Sequence, residues 1–352
     1  MRSYQYTAPA VSHGKNPDEF LTANCWGGKP HMNFKWIKIG EKRRLIGSPN
    51  NPMRNLHGFF VQYVKNGIMK ISDSCGWRLQ TLPSSTAFVK ESNPLINASK
   101  HLNGKFFYIT DMRDAYLSIN LEKLAVLILY IRKYEHYQDY FNLNSLALES
   151  SSIKIIKCDP LFPSLFNFIK VNLSGMFGEG LAVGGPASPF LVNLYCEVFI
   201  DGFLRKLCDE KEMVYTRYAD DFVFSRDKPI ISEIRREIRK CITRGGVNIN
   251  HRKSFVQARE MGTVFVTKTG LLRNNEKAKL VFPQVKRRKL HGIIKSYLKM
   301  KMDWPERVSG YVAEFIYYFK NVETPTATDM KTFALCKEFE KEWSKYKKPW
   351  NH

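Results

Sequence analysis

Apolar positions along the chain follow two rhythms. The stretch Met213-Val214-Tyr215-Thr216-Arg217-Tyr218-Ala219-Asp220-Asp221-Phe222-Val223-Phe224 is β-branched and aromatic on both sides of a short acidic break, which predicts two strands and a hairpin with acids at its tip. A similar run, Phe106-Phe107-Tyr108-Ile109-Thr110, predicts a third strand that ends on Asp111. Elsewhere the period is helical. Leu124, Leu127, Ile128 and Ile131 share one face of a helix predicted from Leu121 to about Tyr134, with Asn120 as its cap. Ser188-Pro189 reads as an N-cap followed by a first-turn proline, opening a helix over Phe190 to Leu207 on which Leu191, Leu194, Tyr195 and Val198 recur. The last stretch, of roughly seventy residues, is helical in character. Residues 1 to about 104 mix turn signals with basic patches. The pattern is that of an α+β fold without internal repeats or a long linker.

Charge narrows the partner. The chain has 352 residues, enough for two or three packed lobes, and a formal net charge of +22. An excess of that size points to a polyanion, with nucleic acid the first candidate. Basic residues gather at Lys35, Lys38, Lys42, Arg43 and Arg44, and again at Lys286, Arg287, Arg288, Lys289, Lys295, Lys299 and Lys301. No membrane partner is expected, since the apolar run Leu124 to Ile131 is far short of the roughly 20 residues a span needs. The first residues carry no apolar signal core, and the seven cysteines form no CxxC pair, so a cytoplasmic location is expected and neither zinc nor a disulfide framework is.

The acids supply the candidate chemistry. Asp111 and the pair Asp220-Asp221 end strand-like runs, and side by side in one sheet they would form an oxygen cage suited to Mg²⁺. Two such ions support phosphoryl transfer: one lowers the pKa of an attacking hydroxyl, and the other neutralises charge on the leaving oxygens.

These residues resemble the reverse transcriptase family, specifically its compact bacterial members of the retron and phage-defence type, over roughly Lys35 to Trp343. Tyr218-Ala219-Asp220-Asp221 is similar to the family's YxDD box, and Asp111 to Ile119 to its first catalytic motif. Gly180 to Pro189 resembles the template-and-nucleotide motif, Asn250-His251-Arg252-Lys253 the Asn-x-x-Lys motif, and Phe88-Val89-Lys90 followed by Asn97-Ala98-Ser99-Lys100-His101 the NAxxH segment. The resemblance implies a right-hand polymerase: fingers over 1–104, a palm with a ferredoxin-like antiparallel sheet over 105–279 with a helical insertion around 121–178, and a basic helical thumb over 280–352. It implies metal ligation by Asp111, Asp220, Asp221 and the carbonyl of Met112, with Mg²⁺, or Mn²⁺, as the two ions. Lys253 would donate a proton to the leaving pyrophosphate. The nucleotide would be met by Lys38 and Arg44, with Lys35 competing for the place of Lys38, by Asp114, Ala115 and Tyr116, whose ring would exclude a ribose 2′-hydroxyl, and by Gly184, Pro186 and Ser188. His101 would pack or hydrogen-bond.

The implied activity is RNA-directed DNA synthesis from deoxynucleoside triphosphates on a dedicated non-coding RNA in antiphage defence, with DNA as product and an oligomer or effector protein as a further partner. The alternatives are template-independent or protein-primed synthesis by the same site, or a non-catalytic RNA-binding module. Two departures from the family pattern bear on this. Val183 stands where a glutamine is usual, and the Val-Thr-Gly of retron enzymes is matched against Glu260-Met261-Gly262-Thr263.

Overall fold

The computed structural model describes residues 28–39, 42–75, 85–88, 92–133, 150–274, 277–300 and 305–345. Val89, Lys90, Tyr134 and Lys301 lie outside them. The chain divides into two compact units, one of residues 5–93 and 104–257, the other of 1–4, 94–103 and 258–352.

The described residues of the larger unit include a hairpin, β1 (Met32–Ile39) antiparallel to β2 (Lys42–Pro49). A helix comes next, Asn51–Cys75. The central sheet comprises β3 (Phe106–Asp111), β4 (Val214–Tyr218), β5 (Asp221–Arg226) and β6 (Phe255–Ala258), in the order β4-β5-β3-β6. Helices enter between β3 and β4 and between β5 and β6, so the connections run β-α-β-β-α-β. The predicted strands at 106–111 and on both sides of the acidic break are present, and β4 and β5 form the expected hairpin.

The helix Leu121–Arg132 is capped by Asn120, whose side chain accepts from the amide of Lys123 at 2.9 Å. It is not the one-faced helix that its spacing predicts. Leu121 and every residue from Leu124 to Ile131 are buried, because the helices Asn51–Cys75, Ser150–Lys157, Phe162–Asn172 and Ser188–Cys196 all pack on it. Apolar burial at about 1.5–3 kcal/mol per large side chain makes this helix the centre of the core. The helix predicted over 190–207 is interrupted: Ser188–Cys196 passes through a π turn, Glu197–Asp201, into Gly202–Glu210. Ser188 is its first residue and not its cap. Ala187 holds the cap position in helical backbone, without a side-chain hydrogen bond.

The smaller unit holds a three-stranded antiparallel sheet, β7 (Val264–Val266), β8 (Thr269–Asn274) and β9 (Lys277–Val281), and the helices Gln284–Met300, Pro305–Asn321 and Ala327–Ser344. Leu290, Ile294, Phe315 and Phe339 form its core. The basic run divides there. Arg287 pairs with buried Asp329, and Lys286 reaches Glu314 at 2.5 Å, whereas Arg288, Lys289, Lys295 and Lys299 are exposed. Asn97 of the NAxxH segment is buried with its amide donating to Thr267 at 3.3 Å, in the β7–β8 turn. His101 is also buried, its carbonyl accepting from Arg259 at 2.9 Å. Burial, with Lys100 and Arg259 nearby, lowers its pKa to about 3, so it packs as a neutral ring.

Candidate active site

Strand register assembles the acids. β3 and β5 run antiparallel with Asp111 directly opposite Asp221, and the β4–β5 hairpin closes on the Tyr218–Asp221 pair with only Ala219 and Asp220 between. Carboxylate oxygens of Asp111, Asp220 and Asp221 lie within 4.8 Å of one another. Ala219 has a φ of +57°, a region that costs an L-residue about 1–2 kcal/mol. Backbone bonds lock this end of the sheet: the Met112 amide donates to the carbonyl of Asp220 at 2.8 Å, and the Asn250 amide to that of Asp111 at 2.7 Å.

Three acids so close repel, and burial adds to the cost of charging them. The pKa of Asp220 is raised by burial and then by Asp111, and that of Asp221 is pushed up to about 7 by burial, Asp220 and Asp111. Among the described residues, one cation answers them. Lys253 Nζ lies 2.5 Å from Asp111 Oδ2, an ion pair that raises its own pKa, with a side chain still half exposed. The other oxygen, Asp111 Oδ1, is buried with no hydrogen-bond partner. An unpartnered, desolvated carboxylate oxygen beside two more carboxylates fits a hard divalent cation such as Mg²⁺ or Mn²⁺.

The other expected site residues separate into groups. Asp114 is exposed with a φ of +49°, Ala115 is buried, and Tyr116 is half-buried, its hydroxyl pKa raised by burial and by Asp220. The carbonyl of Tyr116 accepts from Leu181 at 2.8 Å, tying the first catalytic motif to the loop around Gly184. Gly184 has a φ of +95°, and a Cβ there would lie 2.4 Å from the carbonyl oxygen of Gly47, so a side chain is excluded twice over. Its neighbour Val183 accepts from the Gly47 amide at 2.7 Å, which fastens β2 to this loop through backbone alone. Pro186 is exposed. Ser188 is fully buried and donates to the Ala182 carbonyl at 2.7 Å, so its hydroxyl holds the turn.

On the β1–β2 hairpin, Ile37 faces Arg44 and Lys38 faces Arg43. Side chains alternate along a strand, so Lys35 shares the face of Ile37 and Arg44, and Lys38 lies on the other. Lys35, Lys42 and Arg44 therefore share one face of the hairpin, and Lys38 and Arg43 the other.

Sequence reasoning missed two buried polar groups. His57 accepts from the Ala187 amide at its Nδ1 (3.2 Å) and sits with Nε2 3.0 Å from the Asn172 carbonyl, and burial lowers its pKa to about 4. Those partners require a neutral ring with the proton on Nε2. Arg217, the last residue but one of β4, is fully buried against Asp201. A charged residue inside an apolar run was the available signal in both Arg217 and Asp201.

An antiparallel α+β scaffold with a carboxylate cluster at one end of its sheet is a setting for divalent-cation chemistry. Residues 38–281 match the family described as reverse transcriptase (RNA-dependent DNA polymerase), and the chain belongs to that family. It is 26% identical over 258 residues to the retron Ec86 reverse transcriptase of Escherichia coli, covering 72% of this chain and 66% of that enzyme. To the retron Ec83 reverse transcriptase of the same organism it is 26% identical over 254 residues, 70% of this chain and 71% of that one. The chain thus spans just under two thirds of the Ec86 enzyme. Among solved structures, telomerase from Candida albicans in complex with a fragment of telomeric RNA superposes with a TM-score of 0.46 at 11% identity, over 88% of this chain and 59% of that one. A likeness at that level carries no argument about this chain.

Proposed function

We propose that this chain is an RNA-directed DNA polymerase that extends a primer with deoxynucleotides by two-metal phosphoryl transfer. The observation that carries the reading is the Asp111–Asp221 register with Asp220 beside it and one buried oxygen of Asp111 left open. Asp111, Asp220, Asp221 and the Met112 carbonyl would hold two Mg²⁺ ions, or Mn²⁺. When bound, the ions would lower the pKa of the primer hydroxyl and offset the charge on the leaving oxygens. Arg44 grips the triphosphate through its fork of donors, with Lys38 or its competitor Lys35 as the second cation. The ring of Tyr116 bounds the sugar. With the acids' charge met by bound ions, Lys253 would donate a proton to the leaving pyrophosphate as the primer oxygen bonds to the α-phosphorus, the bond from that phosphorus to the bridging oxygen of the β-phosphate breaks, and the primer's own proton passes to solvent.

In this reading the hand has fingers over 1–104, a palm over 105–279 and a thumb over 280–352. The exposed cations Arg288, Lys289, Lys295 and Lys299 hold the RNA–DNA duplex by its backbone, so binding falls steeply with salt. Charge cannot choose among RNAs, so a dedicated non-coding RNA is selected by shape and single-stranded elements, in a defence role. The decisive experiment is primer extension with Asp220→Asn/Asp221→Asn, alongside a melting curve. The double variant folds, binds RNA and incorporates at least about a thousandfold more slowly, equivalent to roughly 4 kcal/mol of lost transition-state stabilisation. Substantial residual synthesis ends the metal assignment.

A further inference from the structure

Behind the β4–β5 hairpin lies a guanidinium that the chemistry above does not use. Arg217 is 0% exposed, and each of its five N–H donors has an acceptor. Nε lies 3.0 Å from both oxygens of Asp201, and Nη2 donates to Asp201 Oδ2 at 2.7 Å and lies 3.5 Å from the Asn193 carbonyl. Nη1 donates to Asn193 Oδ1 at 2.9 Å and to the carbonyl oxygen of Ala219 at 3.1 Å. Tyr215 completes the group with a 2.7 Å hydrogen bond to Asp201.

Asp201 reaches this place at the end of the π turn Glu197–Asp201. A π turn inserts one residue into the helical path, which rotates the succeeding residues by about 100° relative to an unbroken α-helix. The pair is neutral as a whole, so its field adds little to the acid cluster. Its direct link to that cluster is mechanical: the Nη1 bond to Ala219, the residue with φ +57° that precedes Asp220. A non-glycine residue persists in that region only where its surroundings over-determine it.

We infer that Arg217, oriented by Asp201, is the positioning residue of the metal site: it holds the strained Ala219 turn that carries Asp220 and Asp221. The inference rests on the acid cluster being a cation site, and its test does not depend on polymerase activity. The test compares the full-length chain with the double variant Arg217→Met/Asp201→Leu, in which apolar groups replace the buried pair and leave no orphan charge. Mn²⁺ binding is followed by electron paramagnetic resonance, with melting and Mg²⁺-dependent primer extension beside it.

The expected result is a double variant that melts within a few degrees of the parent yet binds Mn²⁺ at least about tenfold more weakly, the usual scale for losing an outer partner of a metal ligand. Half-maximal extension then needs correspondingly more Mg²⁺. Adding Ala219→Gly, which accepts positive φ without strain, recovers part of the lost Mn²⁺ affinity. If the double variant fails to fold, Arg217→Lys keeps the charge beside Asp201 while lacking the fork that reaches Ala219, and it shows the same weakening. Parental Mn²⁺ affinity in the folded variant, or no recovery from Ala219→Gly, overturns the inference. A parent chain that binds Mn²⁺ at the acids but incorporates no nucleotide would remove the polymerase reading and leave this one standing.

Discussion

Asp201 and Asp111 are both buried carboxylates within one unit, and they are provided for in opposite ways. Asp201 has bonds from Arg217 and Tyr215 on its two oxygens and is fully enclosed. Asp111 is 4% exposed, has Lys253 on one oxygen and nothing on the other. A buried acid that is fully paired costs little and fixes structure, while one left half-open keeps an unspent capacity to bind a cation. The difference separates what holds the hairpin from what it presents.

Truncating each acid tests the contrast most severely. Asp201→Ala strands the Arg217 guanidinium in a dry interior and is expected to cost about 3–5 kcal/mol in a denaturant titration. Asp111→Asn is expected to shift the same titration by less than about 1 kcal/mol and to lower nucleotide incorporation by at least about a thousandfold. Equal stability losses would erase the distinction. A smaller effect is expected next to the open acids. Tyr116→Ala should raise ribonucleotide over deoxynucleotide incorporation by about tenfold, or roughly 1.4 kcal/mol of discrimination. Unchanged sugar selectivity in competition kinetics would assign the ring to packing.

The open acids also set a dependence on pH. Because burial and its acidic neighbours push Asp221 up to about 7, the folded metal-free chain binds more protons than the unfolded chain between its ordinary carboxylate range and pH 7. Raising the pH through that window therefore removes stability, the reverse of a salt-bridged carboxylate. Melting in a chelator, with and without Asp221→Asn, measures it: the substitution flattens the slope. A slope independent of residue 221 would place the strain on another group.

The acids and the strands beneath them were readable because a carboxylate at the end of a β-branched run departs from both the strand and the turn pattern. The Asn120 cap was equally plain, since its geometry is local. What escaped depended on distant partners. The long helix Asn51–Cys75 and the β1–β2 hairpin were hidden among exposed basic residues, and β7–β9 among short runs split by lysines. Lys35 could be separated from Lys38 only once the pairing of Ile37 with Arg44 was known. The Arg217–Asp201 network was invisible because one partner lies on a strand and the other at an irregular turn of a helix.

The way β3 receives its neighbours also constrains the life of the chain before it is finished. Asp111 meets Lys253 across 142 positions of sequence, and its facing residue Asp221 is nearly as remote. Loop closure over such spans is slow, and synthesis proceeds at about 5–20 residues per second. A nascent chain thus spends seconds with β3 made and no companion strand available. During that interval it exposes a row of unpaired peptide groups ending in an isolated acid. A product that ends before residue 253 lacks the cation that Asp111 meets, however well the strands before it have paired.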